Sequence, residues 1–229
     1  MAQIIEISRQ ALHDQVVARL RTMLVEGRIA PGAKLNEREL CELLRVSRTP
    51  LREAIKLLAA EGLVDLLPNR GAVAVKLSEA DVLNTFEVLA AIEGQSGELA
   101  AQRVTDDELA ELRALHYEMM ASYARSDLSN YYRLNQRIHV AINEATKNPV
   151  LVKTYNSINA RVTSLRFRTN QNAARWKIAV KEHEAMIEAL AAHDSAALRA
   201  VMVQHLESKR DTVLELLRAG EIYPLTASE

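Results

Sequence analysis

The chain has 229 residues, enough for one large domain or two small ones, each with a buried core. With 48% hydrophobic and 26% charged residues, it has the composition of a globular protein rather than a disordered one. Its single cysteine excludes an internal disulfide and a cysteine-based zinc motif, and no run of about 20 apolar residues predicts a membrane span. We therefore expect a cytoplasmic protein with no membrane partner.

Charge is distributed unevenly along the chain. Residues 1–76 contain 12 Lys and Arg against nine Asp and Glu, a balance of +3, whereas the remainder contains 17 against 21, a balance of −4. A basic first part on an acidic second part is typical of a DNA-contacting module joined to another domain. The sequence thus predicts two domains, residues 1–76 and 77–229.

An apolar stripe with a four-residue period predicts an amphipathic helix over about residues 11–26. Its members are Leu12, Val16, Leu20 and Leu24. A second helix would begin after Asn36, whose side chain can accept backbone N–H bonds as an N-cap. We expect its inner face to contain Leu40, Leu43 and Leu44.

The third predicted helix carries the most informative pattern. Ser47 is at its N-cap position, and Pro50 is in its first turn, where the missing N–H costs no intrahelical bond. Arg48, Thr49 and Arg52 cluster on its outer face. Arginines at the start of the second helix of a helix-turn-helix can enter the major groove and bond guanine edges or phosphates. The pattern predicts binding to double-stranded DNA.

Two short apolar runs, residues 63–67 and 72–75, follow this helix and predict a β-hairpin. Its turn contains Arg70 and Gly71. A hairpin directly after a recognition helix is a wing, which can contact the minor groove or neighbouring phosphates. Arg70 would supply the contact, and Gly71 would allow the backbone to approach closely.

From Leu77 onward the sequence predicts helices and no strand. Ser78 and Thr105 have the spacing of capping boxes with Asp81 and Glu108. The helices are expected at about residues 79–103, 106–125, 129–146, 150–170, 174–192 and 195–219. The predicted fold is mainly α, a winged helix-turn-helix followed by an all-α antiparallel bundle of about six helices. Gly94 and Gly97 would mark close helix–helix contact.

Three histidines lie on apolar faces of three different predicted bundle helices. Asn135 and His139 share a face because they are four residues apart, and His183 and His205 are in register with apolar neighbours. A single histidine of this kind is more often a satisfied core residue than a ligand. Three that converge in a bundle interior suit Zn²⁺ or a similar transition ion.

Several motifs of the first part occur together, namely Gly27-x3-Pro31-Gly32, the run from Val46 to Ala54, Glu61-Gly62-Leu63 and Asn69-Arg70-Gly71. In combination they closely resemble the GntR family of bacterial transcription regulators. The resemblance implies that Arg38, Arg48 and Arg52 are the principal DNA contacts, with Thr49 and Gly71 in supporting roles. It also implies a homodimer that binds a short inverted-repeat operator.

The second part contains Asn135-x3-His139, then Asn148-Pro149, Glu182-His183 and His205. This series resembles the FCD sensor domain of the FadR subfamily, and six rather than seven helices favours its VanR-like branch. The resemblance implies a small-molecule effector pocket with a divalent transition metal at its floor. The metal would be zinc, with nickel or manganese as alternatives, and its ligands would be Asn135, His139, His183 and His205.

Two positions depart from that family pattern. Asn135 stands where many relatives have Asp, so the site would bind metal more weakly or need an anionic effector to complete it. Leu89 stands where many relatives have an arginine that holds an effector carboxylate. Arg161, Arg166 or Arg168 could replace that arginine, or could instead form a solvated or dimer-facing basic surface.

These features favour a ligand-responsive transcription regulator, a repressor released from its operator by a small carboxylate metabolite. One alternative is a zinc hydrolase with a DNA-targeting domain, in which Glu144, Glu182 or Glu184 is the base, although no His-Glu-x-x-His pair supports it. The other is a ligand-independent architectural DNA-binding protein, which the inward histidines disfavour. His13, His116 and His193 are expected at the surface or in turns.

Overall fold

The computed structural model describes residues 9–68, 70–169 and 173–223. Within these ranges the chain forms nine α-helices and two β-strands. Two compact units meet in sequence between Lys76 and Leu77. None of the described helices is both long enough and apolar enough to cross a membrane.

The first unit contains three helices and a hairpin, as predicted. The elements are α1 (Arg9–Val25), α2 (Glu37–Leu44), α3 (Arg48–Ala60), β1 (Val64–Leu67) and β2 (Gly71–Ala74). The strands pair antiparallel, and Leu67 opposite Gly71 closes the hairpin next to its turn. The Asn36 side chain caps α2 by accepting bonds from the backbone N–H groups of Arg38 and Glu39. This confirms the winged helix-turn-helix.

The core of this unit lies between α1 and α3, whose buried residues include Leu20, Leu51 and Leu58. The prediction of burial is wrong for two residues, because Leu12 is 39% exposed and Leu43 is 63% exposed. The α1 stripe is centred on Val16, Val17, Leu20 and Leu24 instead. The short helix α2 contacts the core through Leu40, Cys41 and Leu44, which leaves Leu43 on its outer side.

The second unit is a bundle of six described helices. They are α4 (Glu79–Arg103), α5 (Asp106–Ala124), α6 (Leu128–Ala145), α7 (Pro149–Thr169), α8 (Ala173–Ala191) and α9 (Ser195–Arg218). Both predicted capping boxes form, Ser78 with Asp81 at the start of α4 and Thr105 with Glu108 at the start of α5. The predicted all-α bundle is therefore confirmed.

Two glycines allow α9 to pack closely against α4. A Cβ at Gly97 would lie 2.8 Å from Sδ of Met202 and 3.2 Å from the backbone carbonyl carbon of Leu198. A Cβ at Gly94 would lie 2.8 Å from Cγ2 of Val203. Real Cβ atoms essentially never lie 2.8 Å from another atom, so a side chain at either position would displace its neighbour on α9. The close approach brings the middle of α9 against the bundle interior.

Candidate DNA-binding face and metal centre

All six residues predicted to contact DNA are exposed in the first unit. Arg48 and Thr49 begin α3, and Arg52 follows one turn later. The full set is Arg38, Arg48, Thr49, Arg52, Arg70 and Gly71. The exposed start of the second helix of a helix-turn-helix is the part that enters the major groove.

Two of these arginines are paired with glutamates of α2. The Nε atom of Arg52 lies 2.9 and 3.0 Å from the two carboxylate oxygens of Glu37. The Nε atom of Arg38 lies 3.2 Å from Glu42. Exposed ion pairs contribute about 0–1 kcal/mol to stability, so their main effect is to orient the guanidinium groups.

The hairpin turn has the backbone that a wing needs. Gly71 has a φ of +87°, which disfavours any residue with a Cβ, whereas Asn69 lies outside the described residues. An isolated bridge between Lys34 and Val73 places the exposed Lys34 beside the wing. Sequence reasoning missed Lys34 because only the tertiary pairing brings it there.

The three predicted ligand histidines meet in the interior of the second unit. His139 of α6, His183 of α8 and His205 of α9 each have no exposed surface. Their ring centroids are 4.9–5.3 Å apart, and one ring nitrogen from each lies within 4.8 Å of the others. We call these three residues the histidine cluster.

The hydrogen bonds of the histidine cluster fix the orientation of each ring. Nδ1 of His139 is 2.9 Å from a carboxylate oxygen of Glu93, and Nδ1 of His205 is 2.6 Å from one of Glu182. Nδ1 of His183 is 2.6 Å from the backbone carbonyl of Ala179. Carbonyl and carboxylate oxygens accept hydrogen bonds, so each Nδ1 carries a proton, and in the neutral form of each ring Nε2 then carries the lone pair.

Metal-binding histidines usually donate the second ring N–H to a carboxylate or carbonyl in this way. Within the described part of the chain, the Nε2 atoms of His183 and His205 are buried and have no hydrogen-bond partner. Burial lowers the pKa of both imidazoles well below the ordinary value, and neighbouring histidines add to the effect. The rings of His183 and His205 are therefore neutral at pH 7, the form that binds a transition ion. The donor set fits a divalent transition metal.

Sequence reasoning missed a buried acid that completes this site. Glu93 of α4 has no exposed surface and lies between His139 and Arg166. Burial acts to raise the pKa of its carboxyl, but His139 and Arg166 together hold that pKa below the ordinary value. A glutamate within an apolar helical pattern gives no sign of its partners, because they come from α6 and α7.

Arg166 of α7 is 1% exposed and contacts three residues of the site. Its Nη1 donates to Oδ1 of Asn159 at 2.6 Å and lies 3.6 Å from Oε1 of Glu93. Its Nη2 lies 3.4 Å from Nε2 of His139. Of the candidate effector arginines, Arg166 lies at the cluster, whereas Arg161 is exposed. The side chain of Arg168 lies outside the described residues.

The remaining predicted positions fall into two groups. Asn135 is buried one turn before His139, and its role as a ligand stays a prediction. Glu144 and Glu184 are exposed, whereas Glu182 contacts the cluster through Nδ1 of His205. The expectation for His116 was wrong, because it is 7% exposed and packs on the inner side of α5.

A winged helix with exposed arginines, followed by a helical bundle with a buried ligand-type cluster, defines a DNA-binding transcription regulator. Two family models match the chain, "Bacterial regulatory proteins, gntR family" over residues 12–73 and "FCD domain" over residues 84–208. The second match alone spans more than half of the chain. The chain belongs to the GntR family of regulators and carries an FCD domain.

Individual relatives agree with this assignment. The chain is 27% identical to the HTH-type transcriptional repressor RspR of Escherichia coli (strain K12), over 90% of this chain and 91% of that one. It is 31% identical to the Nta operon transcriptional regulator of Aminobacter aminovorans, over 88% and 95%. The solved structure of E. coli McbR/YncC shares the fold, with a TM-score of 0.80 at 21% identity over 90% and 98%. RspR and the Nta protein are named as transcription regulators, and the chain belongs to a family of regulators rather than of enzymes.

Proposed function

We propose that this regulator is a metal-dependent sensor of a small carboxylate, and that ligand binding in the FCD domain changes its affinity for an operator. The observation that carries the proposal is the orientation of the histidine cluster, in which each Nδ1 donates a proton to an oxygen. Such an arrangement leaves the Nε2 lone pairs for a metal. A histidine that only fills the core is satisfied by one or two hydrogen bonds, so the convergence of three imidazoles favours a ligand site.

The charges of the site favour an anionic effector. Glu93 and Arg166 form a buried pair of opposite charge, and the imidazoles of His183 and His205 are neutral. A divalent ion would add a charge of +2 that Asn135 cannot offset. Buried charges are tolerated only when they are paired, so a carboxylate ligand would complete the site. We assign Arg166, rather than the exposed Arg161, to the effector carboxylate.

Three further features belong to the same proposal. The protein acts as a cytoplasmic homodimer, because winged helices read inverted repeats in pairs. It acts as a repressor, in line with the name of the E. coli relative RspR. Its six described bundle helices favour the VanR-like branch of the FadR subfamily.

Elemental analysis tests the metal site. Protein purified without a chelator or a polyhistidine tag should contain about one transition-metal ion per chain, and the His139→Ala variant should lose it because two imidazoles rarely hold such an ion alone. His193→Ala, at an exposed histidine, is the matched control and should keep the metal. Wild-type protein that contains no metal, and takes up none when zinc is added, would reject the metal site.

A further inference from the structure

Arg166 donates a hydrogen bond to Nε2 of His139, the atom that a metal ion would need as a ligand. His139 donates its Nδ1 proton to Glu93. A guanidinium has donors only, so the Nε2 atom of His139 that faces Arg166 is an acceptor. The guanidinium Nη2 of Arg166 lies 3.4 Å from that atom and donates to it. The other two Nε2 atoms of the cluster, on His183 and His205, are buried without a hydrogen-bond partner among the described residues.

A guanidinium and a metal ion cannot share this position. Nε2 of a neutral imidazole has one lone pair, which either accepts a hydrogen bond or coordinates an ion. The two groups are also both cations, and like charges repel strongly where water is excluded. Arg166 is 1% exposed, so little solvent screens it from an ion held by the three rings.

Two anchors hold Arg166 in the site independently of His139. Its Nη1 donates to Asn159 at 2.6 Å, and Glu93 supplies a carboxylate oxygen at 3.6 Å. The guanidinium can therefore give up the bond to His139 and keep its other contacts in the site. Its released N–H groups would then be beside the ion, where a carboxylate could bond both.

We propose that Arg166 and a divalent metal ion compete for Nε2 of His139, so that Arg166 sets the metal affinity of the cluster. Metal binding breaks the hydrogen bond between Nη2 and Nε2 and forms a bond between Nε2 and the ion. This inference rests on the proposed metal site and goes beyond it, because it assigns Arg166 a role before any effector arrives. In this role Arg166 couples the binding of the metal to the binding of an anionic ligand.

Zinc titration of two variants isolates Arg166. Replacing Arg166 alone would leave the Glu93 carboxylate buried and unpaired, so the comparison is Glu93→Gln against the double variant Glu93→Gln with Arg166→Met. Both have the same residue at position 93 and differ only in the guanidinium. Zinc affinity is measured on chelator-treated full-length protein by competition with a chromophoric chelator. Circular dichroism and Trp176 fluorescence check that both variants fold.

We expect the double variant to bind zinc at least about 10-fold more tightly than Glu93→Gln, the size of effect that groups behind the ligands usually exert. Arg161→Met, at an exposed arginine of the same helix, should match the wild type. Equal or weaker binding by the double variant, with zinc binding by the wild type, would overturn this inference and leave the proposed metal site intact. Absence of zinc binding by all of the proteins would overturn both.

A measurement on the wild type keeps the inference testable if the variants do not fold. In ¹⁵N-correlated NMR spectra, the buried guanidinium of Arg166 should give slowly exchanging N–H signals. Adding zinc should shift these signals, because the bond to His139 is replaced. Zinc binding that leaves the Arg166 signals unchanged would contradict the competition.

Discussion

At the scale of single residues, the hydrogen bond that Nδ1 of each ring donates determines the orientation of the histidine cluster. Glu93, Glu182 and the carbonyl of Ala179 each accept an Nδ1 proton, which points the three Nε2 atoms inward. Burial of Glu182 raises the pKa of its carboxyl, an effect that Lys209 and Ser208 oppose. These contacts make the cluster an oriented donor set in the buried interior of the bundle.

The lowered pKa values of His183 and His205 predict that stability falls in mild acid. Below the ordinary value of 6.5, the unfolded chain takes up protons on both residues while the folded chain does not. The free energy of unfolding of the metal-free protein should therefore decrease as pH falls below 6.5, with a slope that approaches about 2.7 kcal/mol per pH unit. Denaturant unfolding at several pH values, followed by Trp176 fluorescence, measures it.

Matched variants separate this effect from general acid sensitivity. His205→Gln should lower the slope toward about 1.4 kcal/mol per pH unit, the value for one proton. His193→Gln changes an exposed histidine and should leave the slope unchanged. A wild-type slope near zero between pH 6.5 and mildly acidic values would show that the two imidazoles are protonated in the folded state.

The sequence was sufficient for residues that repeat with a helical period and insufficient for their partners. His139, His183 and His205 could be assigned to inward faces because each continues an apolar stripe. The burial of Glu93 could not be predicted, since it depends on His139 and Arg166 from other helices. The prediction that Leu43 is buried was wrong, because a two-turn helix with leucines on adjacent positions has no unique inner face.

At the scale of elements, α3 presents Arg48 at its first residue and Arg52 one turn later. Substitution of Arg48 by Ala should cost about 1–3 kcal/mol of binding to a duplex selected by the wild type, and should relax base preference at one position of each half-site. Fluorescence anisotropy with matched and substituted duplexes measures both. Lys153→Ala, an exposed cation of the second unit, is the control. Equal operator affinity for Arg48→Ala and wild type would contradict the role of α3 as the recognition helix.

The contact of α4 with α9 predicts a second element-scale effect. Gly97→Ala gains about 1 kcal/mol of helix propensity but places its Cβ 2.8 Å from Sδ of Met202 and in tight contact with the Leu198 backbone, a strain of about 1–3 kcal/mol. We expect net destabilisation in denaturant unfolding. Gly94→Ala should cost less, because the three nearest neighbours of its Cβ are side-chain atoms of Val203 and Arg199 and none is backbone. A Gly97→Ala protein as stable as the wild type would mean that the two helices can separate freely.

At the scale of the whole molecule, the two units must be coupled for the protein to regulate. A ligand shifts DNA affinity only if it binds the DNA-competent and DNA-free arrangements differently, and DNA must alter ligand affinity by the same factor. Such coupling is typically about 1–3 kcal/mol, or about 5- to 150-fold in affinity.

The helix bounds and both capping boxes could be predicted from sequence, because local patterns determine them. The coupling could not, since it depends on how the units respond to a ligand.

The most direct test is operator affinity as a function of ligand. Chelator-treated protein would be titrated with a selected duplex alone, with zinc, and with zinc plus each of a set of small hydroxy acids and dicarboxylates. Our account predicts that at least one zinc–carboxylate pair changes the wild-type affinity by about 5-fold or more. It also predicts that His139→Ala binds the duplex as tightly as ligand-free wild type and does not respond. A wild-type affinity that no pair changes, or an equal response by His139→Ala, would contradict it.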